Sequence, residues 1–360
     1  MRDSAPALAY TSILLLGGAL GGVIYLGTRA GPSTSSGSPA AAASSSATSA
    51  PETAPTAGSV STAAPGELTF IPSADLTAEE QAVLERLNQV RANPPAFFGE
   101  WKAFLAKERT RGLSCEEPDS MLDPLKSYAP KMPLAANQQL TNAARTHAKD
   151  ELKRGFTGHV NPDGIGSNQR VIAAGYPLPI GARVGGFTYS AEKNAVNTEA
   201  LFVAAGNITY GPSHWLDVID ALVVDACVPS RGHRDHMLGV GGTSPLELEI
   251  GIGGVIGSSP RNKNEMQVVI ETATRNDGKF YVLGVVYRDS NANNRYDIGE
   301  GVPSVQITIA DAGVTTKSAP GGGYALPVSD GLSAELTTGG GAKLPFAIKG
   351  ANVKLDVKIP

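Results

Sequence analysis

The chain contains Val228-Pro229-Ser230-Arg231-Gly232-His233-Arg234-Asp235-His236-Met237-Leu238, and well upstream of it Gly155-Phe156-Thr157-Gly158-His159. Each segment sets a histidine directly after a glycine, and Glu192 lies between the two in the chain. Neutral imidazole nitrogens suit a borderline metal such as zinc, and an imidazole can move protons near neutral pH. Glu192 would complete an acid or ligand position. The plainer alternative is that His159 and His233 only brace loops through hydrogen bonds.

Taken together, the two segments resemble the CAP superfamily, the domain shared by cysteine-rich secretory proteins, antigen 5 and pathogenesis-related proteins. Its members carry a "G-F-x-x-H" segment, a "G-E-N" segment and a "GHR-x-x-(I/M)L" segment. The middle one is altered here to Ala191-Glu192-Lys193-Asn194, where the Lys193 ammonium could pair with Glu192. Residues 222–234, LVVDACVPSRGHR, are similar to a subgroup reading close to "L-L-I-D-D-G-V-P-x-R-G-H-R". The resemblance implies a three-layer α-β-α sandwich with two histidines and two acids in one cleft. Carried over by matching segments, His159, Glu192 and His233 fill three of those places. The second acid has no match, with Asp217 and Asp220 as candidates.

Length and composition bound the rest. A chain of 360 residues suffices for about two domains. Ala7 to Gly27 is an apolar run without a charge, long enough at about 1.5 Å per residue to cross a hydrocarbon core of about 30 Å. A cleaved signal peptide competes with a membrane helix for residues 1–30, but the run is long for one and Thr28-Arg29-Ala30 is a poor cleavage site. Arg2 and Arg29 flank both ends, so charge assigns no orientation. Residues 31–67 are almost wholly Ser, Ala, Thr, Pro and Gly, a composition that predicts a disordered stalk. Together these features predict an extracytoplasmic protein, membrane-anchored or secreted. In that compartment the two cysteines, Cys115 and Cys227, favour a disulfide. The net charge of −4, with no basic run, argues against nucleic acid as a partner on electrostatic grounds.

The fold class expected is α+β, a CAP-type domain over 68–277 followed by a small all-β sandwich over 278–360. Thr77 and Glu80 form a capping-box pattern that starts a helix carrying Val83, Leu84, Leu87 and Val90 at helical spacing. Further helices are predicted at 96–107, 135–154, 165–174 and 214–225, with a loop at 110–133. Strands are predicted at 246–252 and 266–274. On the third helix His147 precedes Glu151 by one turn, which reads as a structural histidine. Beyond Asp277-Gly278 the helical period is lost, and short β-rich runs at 280–287, 305–309, 324–328, 334–337 and 353–359 alternate with glycine turns. Asn207-Ile208-Thr209 fits a glycosylation triplet, a common pattern given no weight.

The sandwich opens with Asp289-Ser290-Asn291-Ala292-Asn293-Asn294-Arg295-Tyr296-Asp297-Ile298-Gly299-Glu300. Asp289, Asn291, Asn293, Asp297 and Glu300 place oxygens at positions 1, 3, 5, 9 and 12 of a calcium loop, and Arg295 at position 7 can offer its carbonyl. An EF-hand has Gly at position 6, where Asn294 stands; asparagine tolerates positive φ. Strand-like runs flank the loop, and residues 284–309 resemble the calcium-binding serine-aspartate repeat B-type modules of bacterial surface proteins. The alternative is an Asn/Asp-rich turn.

The function these features favour is binding: a CAP cleft holding a divalent metal, with zinc the candidate, or a small extracellular ligand such as a lipid or cell-wall component. The calcium-stiffened sandwich would serve as spacer or adhesion unit. The alternative is a metal-assisted extracellular hydrolase using His159, Glu192 and His233. Neither HExxH nor GxSxG is present to favour it. A third reading makes the whole ectodomain structural.

Overall fold

The structure, a computed structural model, describes Gly22–Tyr25 and residues 68–184, 187–191, 199–205, 210, 212–240 and 247–360. Strands β1 (Gly22–Tyr25) and β2 (Thr69–Phe70) precede helices α1 (Ala78–Ala92) and α2 (Phe98–Thr110). Then come β3 (Ala135–Ala136), α3 (Gln138–Arg154), α4 (Ser167–Ala173), β4 (Arg183–Val184), β5 (Phe187–Thr188) and β6 (Glu199–Ala205). Helices α5 (Pro212–Val224) and α6 (Gly232–Leu238) lead into β7 (Glu249–Gly257) and β8 (Glu265–Ala273). The C-terminal unit contains β9 (Lys279–Tyr287), β10 (Gln306–Ile309), β11 (Val314–Lys317), β12 (Gly323–Ser329), β13 (Ser333–Thr338), β14 (Lys343–Ala347), β15 (Val353–Lys354) and β16 (Val357–Lys358). The fold is therefore α+β.

Helix α1 starts as its sequence dictates. The Thr77 hydroxyl accepts from Glu80 N at 3.2 Å and Glu80 Oε2 accepts from Thr77 N at 3.0 Å, so two otherwise orphaned amides are satisfied reciprocally. Its apolar residues Val83, Leu87 and Val90 are fully buried with Trp101 of α2 and Val218, Ile219 and Leu222 of α5. That cluster covers the face of the main sheet carrying Phe202, Ile250, Ile252, Val268 and Ile270. Helix α3 covers the opposite face, where Ala144 and Ala148 pack on Leu201 and Val269. The sheet runs β1-β6-β8-β7-β3, with β7, β8 and β6 antiparallel.

Gly251 and Gly253 on β7 set the distance between sheet and helix. A Cβ at Gly251 would overlap the backbone of Leu140, and one at Gly253 that of Ala144 and Arg145. Asn137 starts this helix by accepting from Leu140 N at 3.1 Å, and Gly155 ends it in the left-handed region at φ +66°, as a C-terminal cap requires.

Three expectations need correction. First, the described part of the apolar run, Gly22–Tyr25, is extended, pairing antiparallel with residues 202–205 of β6. Val23, Ile24 and Tyr25 have side chains of the β-favouring classes, and the β6 edge offers unpaired backbone groups. The remainder of 1–67 lies outside the described residues; among those described, no helix is long and apolar enough to cross a membrane. Second, Thr69–Phe70 pairs in parallel with Val314–Thr315, so the start of the segment assigned to the first domain joins a sheet of the second. Third, the loop expected over 110–133 contains a 3-10 helix, Asp119–Lys126, which buries Leu122 and Leu125 in the main core.

The C-terminal unit stacks the sheet β14-β13-β10-β11-β2 against one formed by β12, β9, β15 and β16. Val282, Val286, Ile307, Leu326, Leu336 and Val357 form its core. The two units are joined by specific contacts. Asn352 Nδ2 donates to Pro133 O and Leu248 O, both at 2.9 Å, and Lys354 Nζ lies 2.8 Å from the buried Glu85 carboxylate.

Gly253→Ala is expected to destabilise the protein by about 3 kcal/mol, the upper part of the usual overpacking range, because a helix backbone must move. Urea unfolding checks this; an unchanged midpoint would show that α3 does not depend on the close approach.

Candidate functional site

Where α3 ends, the chain turns back on the helix. Glu151 Oε1 accepts from Gly158 N at 3.0 Å, and His147 Nε2 donates to Gly158 O at 3.0 Å. Donation to a carbonyl fixes the proton on Nε2. His147 and Glu151 are both almost completely buried. Burial lowers the His147 pKa, so the imidazole stays neutral, and burial raises the Glu151 carboxyl well above the ordinary value. This pair holds Gly158 in place and so presents His159, in keeping with a structural histidine at 147.

His159 Nδ1 lies 2.8 Å from Glu199 Oε1, and Arg170 binds Glu199 Oε2. Arg170 also donates to His159 O at 3.1 Å and Ile165 O at 2.9 Å, tying α4 to the same loop. Burial on its own would raise the Glu199 carboxyl. The Arg170 charge and the His159 hydrogen bond outweigh it and hold Glu199 far below the usual carboxylate range. Directly across the sheet, Glu271 pairs in register with Glu199 and lies 3.9 Å from the Arg170 guanidinium. Burial and then the Glu199 charge push the Glu271 carboxyl well above its ordinary value. Two carboxyls side by side are thus shifted in opposite directions. His159 Nε2 has no hydrogen-bond partner among the described residues, and the side chain is 20% exposed. An imidazole anchored through Nδ1 by a carboxylate, with Nε2 open, can accept a proton or ligate a metal.

His233 is held in a similar way elsewhere. Its Nδ1 lies 2.8 Å from Asp225 Oδ1, and Asp225 Oδ2 accepts from His233 N at 3.1 Å. Asp225, Cys227 and Arg231 all have left-handed φ, near +51°, +62° and +51°. This turn is stabilised from outside by the Cys115–Cys227 disulfide, with a Cα separation of 5.6 Å. Glu117 contributes by accepting from Cys227 N at 2.8 Å and Arg231 at 2.7 Å. Arg234 is buried and donates to the α5 carbonyls of Val223 and Val224, each at 2.7 Å. Much of the 222–234 segment is therefore a capped, bridged turn.

His159 and His233 are held by different acids, and among the described residues no hydrogen bond or ion pair joins them. Glu199 faces α3, whereas Thr272, one residue beyond Glu271, faces the other side of the sheet and contacts His236 of α6 at 2.6 Å. Among the described residues no group of three or more His, Cys, Asp or Glu is arranged to hold a metal ion. Glu192, Lys193 and residues 207–209 lie outside the described residues. Asp220 accepts from Arg86 at 2.6 Å and Trp101 Nε1 at 2.9 Å, and Asp217 pairs with Lys107 at 3.0 Å. Both candidates for the second acid thus fasten α5 to α1 and α2. The acids that do bind the histidines are Glu199 and Asp225. Asp225 stood inside the matched segment; no local signal marks Glu199.

The loop at Asp289–Glu300 leaves β9 and returns without a flanking helix. Asp289 Oδ1 and Oδ2 accept from the Asn293 and Asn294 amides at 3.0 Å each, and Asn293 Oδ1 accepts from Arg295 N at 2.8 Å. Asn294 has φ +60°, the backbone its position requires. Glu300 accepts from Ser290 N at 2.8 Å and Asp297 N at 3.0 Å. Asn291 Nδ2 and Asn293 Nδ2 both donate to Asp297 Oδ2, at 2.8 and 2.6 Å, so the loop is closed by its own side chains. Tyr296, in the middle of the loop, is buried against Ala82 of α1 and donates to Ala78 O at 3.3 Å.

Comparison with known proteins returned no matching family model, no matching curated protein and no matching solved structure.

Glu199→Ala is expected to cost about 3–5 kcal/mol in urea unfolding, because it strands a buried guanidinium. His159→Ala, at the exposed end, should cost about 1 kcal/mol or less. Equal costs would make His159 a structural brace. Glu271 carries the opposite linkage. Its folded pKa lies above the unfolded value, near 4.5, so its stabilising effect is present below that value and lost as pH rises. Glu271→Gln should therefore be near neutral at acidic pH and stabilise at neutral pH by more than the ~0.5 kcal/mol scatter of ordinary substitutions. A gain independent of pH would argue against a buried titrating carboxyl.

Proposed function

We propose that this chain is an extracytoplasmic, CAP-like binding protein, anchored or secreted through its N-terminal segment. Its three-layer domain offers His159 to a divalent metal or a small ligand such as a lipid headgroup or wall component. The C-terminal sandwich is stabilised by calcium at Asp289, Asn291, Asn293, Arg295 (through its carbonyl), Asp297 and Glu300. When bound, the calcium would hold the turn between the first two strands of the sandwich. The observation that carries the binding reading is the His159 imidazole fixed through Nδ1 by Glu199, with no hydrogen bond to Nε2 among the described residues.

Hydrolysis by His159, Glu192 and His233 acting on one water needs the three to converge. His159 is held by Glu199 of β6 and His233 by Asp225 in the turn after α5, and two histidines committed to separate acids favour binding instead. The test is calorimetric titration of zinc into the calcium-saturated protein and into His159→Ala and His233→Ala variants. Stoichiometric binding lost in His159→Ala and kept in His233→Ala is the expected result. Loss in both variants would restore a shared metal and the hydrolase. No binding by any protein would sink the metal form of the proposal and leave organic ligands.

A further inference from the structure

With β1 set aside, the main sheet ends in β3 on one side and β6 on the other, and the two ends are built differently. β3 is two residues long and offers little backbone to a stray strand. β6 is seven residues long, EALFVAA. Its one charge is Glu199, already committed to His159 and Arg170. From 200 to 205 the strand carries neither a charge nor a proline, the residues that usually blunt an exposed edge. Such an edge needs a cover, and the chain supplies one itself. Gly22–Tyr25 pairs antiparallel with residues 202–205, Val23 opposite Ala204 and Ile24 opposite Val203.

The covering strand is drawn from the apolar run Ala7 to Gly27, and a bilayer requires the same residues in another form. In hydrocarbon the backbone N–H and C=O groups must be satisfied within the segment, so a single spanning segment is a helix. On β6 the four residues are extended and bonded to a neighbouring strand. One state excludes the other. Length extends the exclusion to the whole run. As a helix at about 1.5 Å per residue, Ala7 to Gly27 reaches about 32 Å, enough for a core of about 30 Å. Ala7 to Gly21 alone reaches about 22 Å and falls short.

We propose that the β6 edge is a strand-accepting site whose occupant is this chain's own Gly22–Tyr25, and that the edge and a lipid bilayer compete for that segment. This rests on the reading of the N-terminal run as a membrane anchor. Away from lipid, the strand closes the sheet and prevents edge-to-edge pairing of two copies. In the bilayer the run is helical and the β6 edge is bare. Insertion gains the burial of the whole run and gives up the pairing of four residues, so lipid wins where both are offered.

The test is cysteine cross-linking in the full chain, with Val23→Cys/Ala204→Cys as one variant and Ile24→Cys/Val203→Cys as a second. Directly opposed residues of an antiparallel pair have Cα atoms about 4.5–5.5 Å apart, within reach of a disulfide. Each variant is oxidised mildly in lipid-free buffer and on phosphatidylcholine vesicles, the new bridge is scored by peptide mapping, and vesicle binding by flotation. At least one variant is expected to cross-link within a single chain in buffer. On vesicles its yield should fall severalfold, and protein cross-linked beforehand should fail to float where wild type floats. No cross-link in either variant, or one formed only between two chains, would overturn the self-covering edge. A yield undiminished on floated protein would overturn the competition while leaving the anchor standing. Wild type that does not float would remove the anchor reading and the competition with it.

Discussion

The close approach of α3 to β7 is the constraint on which the first domain is built. Because Gly251 and Gly253 carry no side chain, the helix backbone lies on the strand itself. That brings His147 and Glu151 into a buried layer where each finds a backbone partner on Gly158. The loop that follows has little freedom left, and His159 meets Glu199 from it. A Cβ at either glycine would push α3 off the strand, and with it the loop that holds His159 against Glu199.

Buried charge then does different work on the two faces of the sheet. Towards α3, Arg170 lets Glu199 remain ionised, while Glu271, farther from that guanidinium at 3.9 Å, is pushed towards its neutral form by burial and then by the Glu199 charge. Towards α6, Arg234 is spent on carbonyls at the end of α5 and Asp225 on the start of α6. The second arrangement stabilises a turn with three left-handed residues other than glycine, a backbone that needs outside support. The disulfide and Glu117 supply it. One histidine is thereby offered outward and the other is enclosed in a structural turn.

The two units are fastened at several independent points. β2 adds to the C-terminal sheet before the chain enters α1, Asn352 bonds back to two carbonyls of the first domain, and Tyr296 meets the start of α1. The loop proposed to bind calcium therefore sits at the seam, where its order bears on how the helical domain is seated.

Much of this was legible from local pattern. The Thr77–Glu80 capping box, the helical spacing of Val83, Leu87 and Val90, the loss of helical period after Asp277 and the left-handed asparagine of the oxygen-rich loop all depend on near neighbours, so sequence by itself determined them. The cysteine pairing was also legible, since only two are present. What only the tertiary structure decided was which distant groups meet. Glu199 has no motif and is matched to His159 by the β6–β8 register and the α3 packing; Lys358 reaches Asp289 because parallel pairing returns the chain's end to the loop. Side chains alternate between the faces of a strand, so a single residue of register decides whether two groups share a site or stand on opposite sides of the sheet.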